Sequence, residues 1–130
     1  MKPLAFSKSG KFWRGNLHTH SNRSDGLLSP DDLCQQYKDE GYNFLVISDH
    51  FVGLYNYPIT EPSNFSASDF VTVLGAELHS GSAENGEIWH ILAVGLPKDL
   101  GLLIRQILFL LIIKRRGQKL PNGVLMLVLL

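Results

Sequence analysis

His18-Thr19-His20, followed at once by Ser21-Asn22-Arg23-Ser24-Asp25-Gly26, puts two imidazoles and a carboxylate within eight residues. On an extended segment residues i and i+2 project to one face, so His18 and His20 can grip a single cation. Asp25 sits in a glycine-terminated turn that can fold back beside them. Imidazole and carboxylate together suit a borderline or hard divalent ion such as zinc, manganese or iron. Further along, Asp49-His50 closes an apolar run, Glu77 follows Gly75-Ala76, and His90 lies within Ile88-Trp89-His90-Ile91-Leu92-Ala93-Val94.

The elements that must position these groups are legible from pattern. Asn16 to His20 reads as a short strand. Ser29-Pro30-Asp31-Asp32 reads as a helix start, with Ser29 as N-cap, proline at the first helical position and acidic residues facing the dipole. That helix presents Leu33, Cys34 and Tyr37 on one side and stops at Gly41. Asn43-Phe44-Leu45-Val46-Ile47-Ser48 is a continuous apolar run, the pattern of a strand covered on both faces. Residues 16 to 48 therefore read as a β-α-β unit, which favours a parallel α/β sheet. Val52 to Ser68 reads as a long loop. Phe70 to Leu74 and Ile88 to Val94 read as further strands, joined by a polar connection from Ser80 to Glu87. In such folds side chains at the C-terminal strand ends converge on one rim. Four strands here each carry a His, Asp or Glu toward that rim.

This ordered set resembles the PHP (polymerase and histidinol phosphatase) family of metallohydrolases. His18-Thr19-His20 with Ser24-Asp25-Gly26 is similar to its first motif and Ile47-Ser48-Asp49-His50 to its second. Gly75-Ala76-Glu77 is similar to the third, and His90-Ile91-Leu92 with Gly95 to the fourth. The resemblance spans about residues 15 to 97. The form Gly15-Asn16-Leu17-His18-Thr19-His20 also looks like the branch that includes ester and carbamate hydrolases.

The resemblance implies an α/β fold, the N-terminal part of a distorted (β/α)7 barrel, with two or three divalent ions (zinc, manganese or iron) in the rim cleft. It implies His18, His20, Asp25, His50, Glu77 and His90 as ligands, with Glu77 bridging two ions. His18, His20 and Glu77 would hold one ion, Glu77 and His90 a second, Asp25 and His50 a third. The implied activity is hydrolysis of a small-molecule phosphoester by a metal-activated water. The alternatives are an ester, amide or carbamate hydrolase on the same scaffold, or an inactive truncated chain that only binds metal.

The pattern also departs from the family. Members continue with a later His in an Ala-His-Pro context and a late Asp-x-His pair, whereas this chain has no histidine after His90 and no aspartate after Asp99. Six implied ligands stand where the family uses nine. Residues 1–97 thus read as the N-terminal portion of a PHP domain, incomplete as a barrel. Residues 98–130 read as an atypical apolar tail, the product of a truncation or a shifted reading frame. Stepping back one base across a back-translation of residues 117–130 permits a helix-to-strand string, as a continuing barrel would need.

Composition limits the rest. Twelve basic residues balance twelve acidic ones, so no net field draws in nucleic acid or an anionic membrane. Neither apolar run of the tail reaches the roughly 20 residues that span a bilayer. A single cysteine excludes an internal disulfide, and with no secretory leader pattern the expected setting is the cytoplasm. Cys34 is expected in the core, and Trp13 and Trp89 as buried anchors. Asp49 is expected to support a turn or a ligand rather than to ligate. His79 is read as a surface residue, with a substrate contact as the rival. Phe51, Tyr55 and Tyr57 are expected either to wall the cleft or to pack their own loop.

Overall fold

The computed structural model describes residues 9–62, 65, 67–82, 88–97 and 125–128. The expectations for the turn at 83–87 and for most of the tail, residues 98–124 and 129–130, lie outside the described residues. The chain is α/β: among the described residues one α-helix and a short 3-10 turn (Gly53–Tyr55) accompany a six-stranded, mostly parallel sheet.

The helix forms where its signals predict. Helix α1 spans Pro30–Asp39. The Ser29 hydroxyl accepts from the Asp32 amide at 3.2 Å and donates to the Asp32 carboxylate at 2.6 Å, satisfying one of the free amides of the first turn. At the other end Gly41 adopts φ +77°, a conformation a side chain would strain. Its amide donates to Lys38 O at 2.9 Å and the Tyr42 amide to Tyr37 O at 3.1 Å. That pair of bonds is a Schellman stop.

The described residues form six strands: β1 (Gly15–Asn16), β2 (Phe44–Ile47), β3 (His50–Phe51), β4 (Val71–Ser82), β5 (Ile88–Val94) and β6 (Leu125–Val128). Their order is β1-β2-β4-β5-β6, with β3 also on β4. Pairings β1–β2, β2–β4, β3–β4 and β5–β6 are parallel. Strands β2 and β3 are one line with a two-residue interruption. Ile47 stands opposite Leu74 and His50 opposite Glu77, the same offset throughout.

Three expectations need correction. The first strand is only Gly15–Asn16, not 16–20, because the Asn16 side chain accepts the His18 amide at 3.1 Å and turns the chain out of the ladder. The third strand does not stop at Leu74 but runs through Glu77 and His79 to Ser82. The fourth strand returns antiparallel to it, with Glu77 opposite Leu92 and His79 opposite His90. A hairpin needs no crossover helix, so the polar connection between these strands can be short.

Strict alternation sorts the side chains. Leu45 and Ile47 face α1 and form a core with Leu33, Cys34 and Phe70, while Ala76, Leu78, Ala93 and Leu96 form a second cluster. Val46 points the other way, to Leu92, Val94 and Val73. Leu45, Val46 and Ile47 are all fully buried, each contributing about 1.5–3 kcal/mol. Trp13 and Phe12 are not the buried anchors their size suggests. They are 64% and 89% exposed, because they precede β1 in an irregular segment that no described helix or strand covers. Trp89 is half-buried.

This packing can be checked at two positions. Cys34 is fully buried, and burial with the nearby Asp31 charge pushes its thiol up to about 12. It should stay inert to alkylating reagents in the folded chain and react stoichiometrically after denaturation. Gly75 touches two strands at once: an added Cβ would overlap Val46 Cγ1 and lie 2.9 Å from Ala93 O. Gly75→Ala should lower unfolding free energy by about 1–3 kcal/mol in a denaturant titration.

Candidate metal centre

The sheet face opposite α1 carries the chemistry. On β4, Glu77 and His79 project from that face, two residues apart. On β5 the antiparallel register brings His90 directly across from His79 and diagonally from Glu77. On β3, His50 stands opposite Glu77 from the other side. Three strands thus aim their side chains at one place without any loop having to be ordered.

His18 and His20 come from the segment after β1, which is tied to the end of β2. The Ser48 amide donates to Thr19 O at 2.8 Å, and the Thr19 amide donates to Ser48 Oγ at 3.2 Å. Asp49 anchors the chain just beyond His20. Its carboxylate is fully buried and accepts from the Ser21 amide, Ser21 Oγ and Ser24 Oγ, each at 2.7 Å, and from Thr60 Oγ1. These bonds hold the 21–26 turn, in which the Gly26 amide donates to Ser21 O at 2.9 Å. Gly26 packs on the His20 carbonyl so closely that a Cβ there would overlap it. The turn carries Asp25 back over His20.

At the centre is Glu77, its side chain 3% exposed. His18 Nε2 lies 3.1 Å, His20 Nε2 2.9 Å and His50 Nδ1 3.2 Å from Glu77 Oε2, while His90 Nδ1 pairs with Oε1. His18 Nε2 and His20 Nε2 are 2.9 Å apart, and His50 Nδ1 and His79 Nε2 are 2.7 Å apart. On the outer side Asp25 Oδ1 lies 2.7 Å from His20 Nδ1, and Asp25 Oδ2 lies 3.3 Å from His50 Nε2. The Tyr55 ring stacks beside His50 at 6.2 Å, while Phe51 packs into the core and against Tyr57.

These groups fall into three sets close enough to hold a metal ion: His18, His20 and Glu77; His20, Asp25 and His50; and His50, Glu77, His79 and His90. All five histidines of the chain take part. Every one of the six expected residues is brought together here. Asp49 lies outside the sets and acts through the turn it holds.

The fit extends to charge. Burial pushes the Glu77 carboxyl up, but hydrogen bonds with His18 and His90 and the charges of His50 and His18 outweigh it, leaving the group below its ordinary value and ionised. For Asp25 the same contest, burial against His20 and His50, also ends below the ordinary value. Burial, reinforced by His90 and His50, holds His79 below the usual imidazole range, favouring the neutral ring that a metal needs.

His79 is the residue that the surface reading misplaced. Its signal was present in the sequence: it stands two positions from Glu77 in a strand, hence on the same face. With the strand taken to end at Leu74, that spacing had no meaning.

Comparison of the chain with family models, with curated proteins and with solved structures gives no match. Among the described residues no helix is long and apolar enough to cross a membrane.

Asp49→Ala tests how far the centre rests on its anchor. It leaves an amide and three hydroxyls without their acceptor, which should cost about 3 kcal/mol of stability. A denaturant titration should show that loss, and metal affinity should fall with it although Asp49 touches no ion.

Proposed function

We propose that this chain is a divalent-metal-dependent hydrolase of the PHP type that acts on small phosphoesters. The observation that carries the reading is the convergence of all five histidines with Glu77 and Asp25 on one sheet face. Imidazoles close on a buried carboxylate have no packing role that apolar side chains would not fill better. Their nitrogens and oxygens suit zinc, manganese or iron. The order of the residues along the chain agrees with the PHP motifs. The parallel β1-β2-β4 order, with a helix on the outer face and donors on the inner one, is what the first part of a (β/α)7 barrel would have.

Divalent ions bound here would supply Lewis acidity, lowering the pKa of a coordinated water and neutralising charge that develops on a phosphoryl oxygen. The chain's own residues prepare that chemistry. Glu77 presents one oxygen to His90 and the other to His18, His20 and His50, so a single rigid carboxylate can serve two ions. Val46, Leu92 and Val94 close the floor beneath it and keep water from that side. His18, His90 and Asp25 are the open edge, with side chains 42%, 39% and 53% exposed, and substrate would approach there.

The test is a hydrolysis assay with a phosphomonoester, a phosphodiester and an aryl ester, each with manganese and with zinc. We expect phosphoester turnover that a chelator abolishes and that Glu77→Ala lowers by at least ~100-fold, the range seen when a principal electrostatic contact of an active site is removed. Turnover of the aryl ester alone would favour the ester or carbamate branch. Metal bound without turnover of any of the three would leave a binding chain and sink the hydrolase reading.

A further inference from the structure

The aromatic residues that follow His50 divide into two roles. Phe51 packs against the core cluster of Ala76, Leu78, Ala93 and Leu96, and the Tyr57 ring lies against Phe51 at 5.2 Å between centroids. Tyr55 lies instead against His50. The two rings are 18° from parallel at 6.2 Å between centroids, while His20, His79 and His90 stand at near right angles to the same imidazole. Tyr55 thus continues the wall of the cleft outward from His50. Its neighbour Leu54 is 83% exposed, a large apolar side chain left in solvent beside a cluster of polar donors.

The turn that presents Tyr55 is tightly built. Gly53–Tyr55 is a single 3-10 turn, closed by the Asn56 amide on Gly53 O at 3.1 Å and the Tyr57 amide on Val52 O at 3.0 Å. That pair of bonds is the Schellman pattern, and it calls for a left-handed residue at Asn56, where φ is +59°. It does not call for one at Tyr57, yet Tyr57 adopts φ +52°. For a bulky side chain that conformation is a genuine outlier, kept only where the surroundings over-determine it. Here the Tyr57 ring is held on Phe51, and its hydroxyl closes on Gly53, where an added Cβ would lie 3.3 Å from it. A mere connection gains nothing from such strain. A wall that must stand at a fixed place beside His50 does.

We propose that Tyr55, with Leu54 beside it, forms the subsite for the organic group of the substrate, and that this group is an aromatic ring carried on the phosphoester. The proposal rests on the metal-hydrolase reading above and adds to it the class of group that is recognised. The donors of the sheet face are polar or charged and suit the phosphoryl end. Tyr55 and Leu54 supply apolar surface next to them. A flat ring can meet the tyrosine in the offset or edge-to-face contacts that aromatic pairs favour, and an aliphatic group of the same size cannot. Tyr57 and Phe51 do not touch substrate in this arrangement; they are positioning residues that fix the turn.

The experiment is calorimetric titration of the manganese-loaded chain with phenylphosphonate and with methylphosphonate, unreactive probes that share a phosphoryl end and differ in the ring. We expect phenylphosphonate to bind more tightly. Tyr55→Ala should weaken phenylphosphonate about 2–10-fold, the range of one aromatic contact, and leave methylphosphonate unchanged. Tyr55→Phe should keep the parent preference. Circular dichroism and metal content of each variant establish that it folds and loads, and Tyr55→Leu serves if the alanine variant does neither. Equal affinity of the parent chain for the two probes would overturn the subsite and leave the hydrolase reading standing. So would a preference that survives Tyr55→Ala, or a loss in that variant that strikes both probes alike. A parent chain that holds no manganese, or holds it and binds neither probe, would overturn the metal-hydrolase reading and the subsite with it.

Discussion

One buried charge sets the geometry on which the site depends. Asp49 has no exposure to solvent, and an ionised carboxylate so placed is costly unless it is fully hydrogen-bonded. Ser21, Ser24 and Thr60 supply those bonds, and the Asp49 carbonyl takes the Glu77 amide at 3.1 Å. The same residue thus ties the 21–26 turn, the 60 loop and strand β4 to the seam between β2 and β3. Its charge cannot be satisfied without bringing these segments together. Once they are together, His20, Asp25, His50 and Glu77 have no freedom left to separate.

The second constraint is register. A strand alternates its side chains, so a slip by one residue would send every donor to the helix face. Here the offset between β2 and β4 persists unbroken into β3, and it is pinned by a fully buried apolar run on both faces. The antiparallel return of β5 then matters for direction. His90 is only the third residue of its strand, yet it reaches the rim where β4 is passing its middle. A parallel β5 would have carried His90 to the far end of the sheet. Hydrophobic packing at 45–47 and the gathering of Glu77, His79 and His90 are consequences of one ladder.

The legibility of each feature in the sequence depends on how local its signal is. The helix, its Ser29 cap and its Gly41 stop depend on neighbours within a few residues, and they appear where expected. The apolar strand at 44–47 is equally self-evident. The six residues that the resemblance implies as ligands were singled out by motif order, which does not require knowing the strand pairing, and their side chains do come together. Three features were not local. The length of β4 was hidden because Glu77, His79 and Ser80 look like loop residues until a partner strand covers their backbone. The direction of β5 depends on a hairpin, not on composition. Trp13 is large and apolar, but whether it is covered depends on elements far from it in the chain. His79 was lost through the first of these and is recovered by it.

The close approach of ring nitrogens around Glu77 is a further reason to expect a cation there. His18 Nε2 and His20 Nε2 lie 2.9 Å from one another, and both lie within 3.1 Å of the same oxygen, Glu77 Oε2. If both nitrogens carry protons, two N–H groups are pressed together. If neither does, two lone pairs face each other and an anionic oxygen. A single proton satisfies one contact of the three and leaves another unfavourable. The same conflict recurs where His50 Nδ1 faces both His79 Nε2 and Glu77 Oε2. A divalent ion in each of these two sets would relieve the conflict there, because the lone pairs could then point to a positive charge. The outer nitrogens, His20 Nδ1 and His50 Nε2, face Asp25, which would accept their protons if the inner nitrogens held an ion.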